Sequence, residues 1–127
     1  MIVIDTSALM AMVLAEPEAD RCRKATNEGG ELKISAGTIA ETMILANSRN
    51  IRTQMDALLE RLDIEIVPAT YATADRMAIA YQQWGKGNHP AGLNFGDCFA
   101  YALARTKREP LLYKGDDFRH TDLRSAI

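Results

Sequence analysis

Met1-Ile2-Val3-Ile4-Asp5-Thr6-Ser7-Ala8-Leu9-Met10 is the stretch from which the rest of the chain can be read. Ile2, Val3 and Ile4 form a short continuous apolar run, the pattern of a strand buried on both faces, and it stops abruptly at a carboxylate. A helix is predicted to start at once. Thr6 and Ser7 can cap it, and Leu9, Met12 and Val13 supply an apolar stripe at helical spacing. Asp5 therefore lies where a buried strand hands over to a helix, which in an open parallel sheet is the edge where ligands bind.

Outward from that stretch, strand-like and helix-like segments alternate. Pro17 breaks the first helix, and Glu18 to Asn27 reads as a polar helix ended by Gly29-Gly30. Glu31 to Ser35 alternates as a strand, Gly37-Thr38 opens a helix to about Asn50, and Met55, Leu58, Leu59 and Leu62 mark another helix that forms a hairpin with it. Ile64 to Pro68 is a third strand. Tyr71 to Trp84 is a helix with Met77, Ala80, Tyr81 and Trp84 on one face. The Gly/Pro-rich loop from Gly85 to Gly92 is the best candidate for a mobile segment beside a site. A helix from Gly96 with Phe99, Ala102, Leu103 and Thr106 at core spacing runs to Glu109-Pro110, and Leu111 to Tyr113 is the last strand. This alternation predicts a three-layer α/β/α fold with a mainly parallel sheet of four to five strands, in one domain spanning residues 1–127.

Composition narrows the function classes. A hydrophobic share of 47% over 127 residues supports a core and excludes a disordered chain. No apolar run is as long as a membrane span, and the chain opens on strand-like residues rather than a basic leader, so a soluble cytoplasmic protein is expected. Cys22 and Cys98 lie far apart, without metal-ligand spacing, which suits reduced thiols without a chemical role. With 15 Lys and Arg against 17 Asp and Glu, any nucleic-acid contact needs a local basic patch or a bound metal.

Four acids fall at the predicted carboxyl edge. Asp5 follows the first strand, Glu41 is placed in the first turn of the helix after the second, Asp97 opens the long C-terminal helix, and Asp116 follows the last strand. Each has a bland reading: Asp5 as a cap, Glu41 as the end of a Thr38-x-x-Glu41 capping box, Asp97 as partner of the cap Asn94, Asp116 as a turn residue. Their convergence changes the balance. Glu41 is nearly the only ionisable group in an apolar run, and clustered carboxylates repel unless a hard cation compensates them. Mg2+ or Mn2+ takes oxygen ligands and leaves positions for water and phosphate oxygens, so a metal site acting on a phosphorylated substrate is expected.

Val3-Ile4-Asp5-Thr6-Ser7-Ala8, the helical Glu41, the segment Leu93-Asn94-Phe95-Gly96-Asp97-Cys98-Phe99-Ala100-Tyr101-Ala102-Leu103-Ala104, and Leu111-Leu112-Tyr113-Lys114-Gly115-Asp116-Asp117-Phe118 together resemble a PIN domain, and more narrowly the VapC-type toxins of bacterial toxin–antitoxin pairs. The resemblance spans essentially the whole chain. It implies a Mg2+-dependent endoribonuclease, with Mn2+ as a substitute, held inactive by a cognate antitoxin and self-associating as a homodimer. It further implies an acidic quartet of Asp5, Glu41, Asp97 and Asp116, with Asp5, Asp97 and Asp116 as metal ligands. Ser7 would stand beside the first acid, with Thr6 next to it, and Asn94 would steady the third motif. Asp117 is the alternative to Asp116.

Hydrolysis of a phosphodiester in single-stranded or loop RNA by an attacking water needs no protein nucleophile, which accords with the lack of a Ser/His/Asp or Cys/His grouping. Lys86, Lys114, Arg119 and His120 are near the edge in sequence and are candidates to hold flanking phosphates, with solvated surface charge as the ordinary alternative. Trp84 and Tyr113 either stack bases or pack. Met10, Met12, Leu14, Met43 and Leu45 are either core or an adaptable partner surface. Two rivals are an aspartyl phosphatase, which would want an acid where Ser7 stands, and a non-catalytic module of the same fold that keeps the partner surface.

Overall fold

A computed structural model describes all residues, Met1–Ile127. Four parallel strands, β1 (Ile2–Ile4), β2 (Leu32–Ser35), β3 (Glu65–Val67) and β4 (Leu111–Leu112), form one sheet in the order β3-β2-β1-β4. Six helices connect them: α1 (Thr6–Val13), α2 (Ala19–Glu28), α3 (Ala36–Ser48), α4 (Arg52–Leu62), α5 (Tyr71–Trp84) and α6 (Phe95–Lys107). No helix is long and apolar enough to cross a membrane.

The pleat sorts the strand residues onto two faces. Ile2, Ile4, Ile34 and Leu112 face a core with Leu9, Met12, Met55 and Leu58, under α1 to α4. Val3 and Leu111 face the other core, with Met77, Leu93, Tyr101 and Leu103 from the α5 and α6 side. Met10 and Met12 are buried in the first core and Met43 and Leu45 pack against it, so core packing accounts for four of the five residues weighed as a partner surface; Leu14 alone is exposed. Helix α6 is enclosed nearly all round, with Asp97, Cys98 and Ala100 to Ala104 buried, whereas the predicted stripe member Thr106 is exposed.

Chain order locates the edge that matters. From β1 the chain moves one way to β2 and β3, while β4 is added on the opposite side of β1. The strand order therefore reverses between β1 and β4, and the crevice outside the carboxyl ends at such a switch point is the general ligand site of open α/β sheets.

Two local expectations change. Helix α3 begins at Ala36, with Ser35 as its cap, accepting the Gly37 N–H at 3.3 Å. Thr38 and Glu41 thus form no capping box, and Glu41 is the sixth helical residue, in the second turn rather than the first. The 85–92 loop is tied down: Lys86 N–H donates to the Leu93 carbonyl at 2.9 Å, Leu93 N–H to the Trp84 carbonyl at 3.0 Å, and the His89 ring meets the Trp84 ring edge-on at 4.8 Å.

Candidate active site

At the end of β1, Asp5 is the cap of α1 and is almost completely buried. Its Oδ2 accepts the Ser7 N–H at 3.0 Å and the Ser7 hydroxyl at 2.6 Å. Its Oδ1 is buried with no hydrogen-bond partner. A cap needs only one of the two oxygens, so capping explains half of this carboxylate and leaves the other half unsatisfied. Burial, only partly offset by the bonds from Ser7, pushes the Asp5 carboxyl up to about 6.

Asp97 belongs to a reciprocal capping box with Asn94 at the start of α6. Asn94 Oδ1 accepts the Asp97 N–H at 2.8 Å, and Asp97 Oδ2 accepts the Asn94 N–H at 3.0 Å. The capping reading of Asp97 therefore holds, as it does for Asp5. Burial pushes Asp97 up to about 7, and the neighbouring charges of Asp5, Asp117 and Glu41 add to the rise. An acid at a helix N-terminus is ordinarily favoured in its ionised form. Here desolvation and like charge outweigh the helix.

Glu41 reaches the same place from α3. Thr6, next to Asp5, donates its hydroxyl to Glu41 Oε1 at 2.7 Å and sits 3.0 Å from the Thr42 hydroxyl. The other oxygen lies against the α6 backbone, so closely that a Cβ on Gly96 would stand 1.9 Å from Glu41 Oε2. Gly96 is therefore glycine because a carboxylate occupies the space of a side chain.

The turn after β4 carries both candidates for the fourth acid. Asp116 points outward into an exposed ion pair with Arg119 at 2.9 Å. Its neighbour Asp117 is the one whose charge reaches Asp97. The positive φ of Gly115, 97°, sets the turn that carries both acids.

The supporting residues tie the edge together. Ser7 Oγ accepts the backbone N–H of Lys114 at 2.9 Å, joining the end of β1 to the segment after β4. Of the proposed phosphate contacts, Lys114 is ion-paired with Glu16 and Arg119 with Asp116, while Lys86 and His120 are exposed without an ion pair. Trp84 donates to the Tyr101 hydroxyl at 2.8 Å, and Tyr113 packs on Phe118 at 5.3 Å, so both are packing residues. Cys22 and Cys98 are buried free thiols, and burial pushes Cys98 up to about 11. The residue absent from the sequence reading is Glu16. A glutamate before a proline in a polar turn gives no local signal of its partner, 98 residues away.

A hard divalent cation fits this edge. The donors are carboxylate oxygens, two of them on acids held back from ionising by burial, and Asp5 Oδ1 is an orphaned buried acceptor that a cation would satisfy. No trio of His, Cys, Asp or Glu side chains stands at metal-holding spacing. Mg2+ is commonly held by only one or two carboxylates, with waters and substrate phosphate completing its shell, and Asp5 with Asp97 meets that requirement.

Comparison with known proteins gives the family and supports the fold. The model of the PIN domain family matches residues 2–123. The chain is 41% identical over 124 residues to the ribonuclease VapC30 of Mycobacterium tuberculosis, covering 95% of each chain. It is equally identical, 41% over 124 residues, to the ribonuclease VapC of Mycolicibacterium smegmatis, covering 95% of this chain and 96% of that one. Among solved structures, Mycobacterium tuberculosis VapC20, described as a sarcin-ricin loop cleaving toxin, superposes with a TM-score of 0.78 at 16% identity, covering 97% and 96% of the two chains. A toxin–antitoxin complex from Klebsiella pneumoniae superposes with a TM-score of 0.76 at 19% identity, covering 100% and 98%.

Proposed function

This chain belongs to the PIN domain family, and from that premise we propose that it is a metal-dependent endoribonuclease, the toxin of a toxin–antitoxin pair, which hydrolyses phosphodiester bonds in single-stranded or loop RNA. The family relatives named as ribonucleases, matched over 95% of this chain, support the reaction class. The observation that carries the chemistry is the unpartnered Oδ1 of Asp5, on a buried acid whose charge bears on a second desolvated acid, Asp97.

Asp5 and Asp97 would hold Mg2+, or Mn2+ in its place. When bound, such an ion supplies Lewis acidity, lowering the pKa of a water and offsetting charge that develops on the phosphate. The residues do the rest. Ser7 fixes Asp5 Oδ2, which leaves the buried Oδ1 as the oxygen without a partner. Asn94 fixes Asp97 through Oδ2. Glu41, fixed by Thr6, offers an acceptor for the proton of the attacking water. Asp117 takes the fourth acidic place in preference to Asp116, because Asp116 is committed to Arg119. Lys86 and His120 are the cations left to engage flanking phosphates.

The partner reading has separate support. One structural neighbour is itself a toxin–antitoxin complex, which favours a cognate antitoxin as partner. A homodimer is favoured by an apolar groove of roughly 590 Å³ between α5 and α6, lined by Met77, Ala78, Tyr81, Phe99 and Phe95, the last 71% exposed.

The test is incubation of folded, partner-free protein with single-stranded RNA and total tRNA, with Mg2+ or Mn2+ and then with chelator, beside Asp97→Asn. Cleavage that requires metal and disappears in the variant is the expected result. Intact RNA under every condition would replace this reading with that of a non-catalytic binding module.

A further inference from the structure

Lys114 is held at both ends. Its backbone N–H donates to Ser7 Oγ at 2.9 Å, and Ser7 in turn donates to Asp5 Oδ2 at 2.6 Å. The main chain of Lys114 is thus two hydrogen bonds from the first acid of the site. Its ammonium turns the other way, to the carboxylate of Glu16. That pair is partly shielded, with side chains 35% and 25% exposed.

Glu16 is delivered by a deliberate turn. Helix α1 ends with Ala15 in the left-handed region at φ 52°, and the Glu16 N–H returns to the Ala11 carbonyl at 2.9 Å. Pro17 follows directly, and a residue before proline is biased towards extended backbone, which narrows the freedom of Glu16. Nothing in the proposed chemistry uses Glu16.

With Glu16 gone, the carboxylate nearest in the hydrogen-bond chain is Asp5, two bonds from the Lys114 main chain through Ser7. A flexible four-carbon stem brings an ammonium readily to any carboxylate within reach, and Asp5 Oδ1 is an acceptor without a donor. An ammonium settled there would satisfy the buried acid and neutralise the edge, and in doing so occupy the place of a divalent cation.

We propose that Glu16 is a positioning residue for the ion site, holding the Lys114 ammonium outside the acidic edge so that Asp5 and Asp97 stay available to a cation. The inference rests on the metal reading of those two acids. It separates Glu16 from an ordinary surface ion pair, whose loss has little effect on a distant site.

The experiment is calorimetric titration of Mn2+ into wild-type protein, Glu16→Gln, Lys114→Met and the double variant, after thermal melts in chelator have established that all four fold. Glu16→Gln should weaken Mn2+ binding by about tenfold, Lys114→Met should leave it unchanged or tighter, and the double variant should return to within about threefold of wild type. Equal affinity in wild type and Glu16→Gln would overturn the inference and leave the metal reading intact. So would a double variant as weak as Glu16→Gln, because the lost affinity would then be the general effect of removing a negative charge. Wild-type protein that takes up no Mn2+ would overturn the metal reading and this inference with it.

Discussion

Ser7 Oγ accepts the Lys114 backbone N–H at 2.9 Å, so that one hydroxyl bridges the two strands between which the sheet order reverses. The same hydroxyl donates to Asp5, and its single proton leaves Asp5 Oδ1 free. Ser7→Ala should cost about 1–3 kcal/mol, since it strands a part-buried N–H and strips a buried carboxylate of a donor. It should push the Asp5 carboxyl higher still, because the Ser7 bonds are what lower it. Ser7→Thr should recover most of both. Chemical denaturation beside RNA cleavage checks this, and a fully active, equally stable Ser7→Ala would remove the bridge from the account.

Asp97→Asn keeps an oxygen for the Asn94 N–H and loses only the charge. Cleavage should fall by about a hundredfold or more, equivalent to several kcal/mol of lost charge stabilisation. Stability in chelator at neutral pH should rise, because an acid pushed up to about 7 ionises there at a cost to the fold. Asp97→Ala, which also loses the cap, should fail to show the gain.

Stability in chelator should fall as pH rises from about 4 to 7 through the contributions of Asp5 and Asp97. With carboxyls pushed up to about 6 and about 7, the folded protein binds more protons across that window than the unfolded chain, so the slope of stability against pH is negative there. On the proposed metal reading, Mn2+ held by the ionised acids should reverse the trend above pH 6, by about 3 kcal/mol at a hundredfold excess over its dissociation constant. Melting temperatures across pH, with and without Mn2+, test it. A chelated protein that gains stability from these groups over the window would contradict the burial assigned to them.

Gly96→Ala should change sign with its background. In wild-type protein the new methyl meets Glu41 Oε2 at 1.9 Å and should cost about 1–3 kcal/mol as the carboxylate is displaced, with a matching loss of activity. In Glu41→Ala the space is vacant, and replacing a helical glycine should stabilise by about 0.5–1 kcal/mol. A double-mutant cycle of unfolding free energies measures the coupling. Additive effects would mean that Glu41 does not rest on α6.

Asp116→Asn and Asp117→Asn should separate cleanly. Asp116 is exposed in a surface ion pair with Arg119, and its loss should cost under about 1 kcal/mol of stability and leave cleavage near wild type. Asp117→Asn removes a charge felt by Asp97 and should lower Mn2+ affinity and cleavage together. The reverse ranking in a cleavage assay would return the fourth place to Asp116.

Much of this was legible in the chain because it is written in short-range patterns. The apolar run ending at Asp5, the helical stripes, and the turn residues predicted all four strands and six helices, with boundaries displaced by a residue or two. The displacement mattered once. Moving the start of α3 back to Ala36 freed Glu41 from the capping box that had been its bland explanation. The three acids Asp5, Glu41 and Asp97 could be singled out since each interrupts an apolar or capping pattern where a carboxylate is costly to bury.

What the sequence alone determined was therefore the alternation of strand and helix, the parallel sheet it requires, and the placing of Asp5, Glu41 and Asp97 near its carboxyl edge, all set by periodicity and by the cost of burying charge. Only the tertiary structure decided which oxygen of Asp5 is free, that the charge of Asp117 bears on Asp97 while Asp116 pairs with Arg119, that Met10 and Met12 are core, and that Glu16 holds Lys114. The physical reason is distance along the chain. Side-chain direction after a turn, and pairings between residues 98 apart, depend on how separate elements pack together, and no local pattern of residue types encodes them.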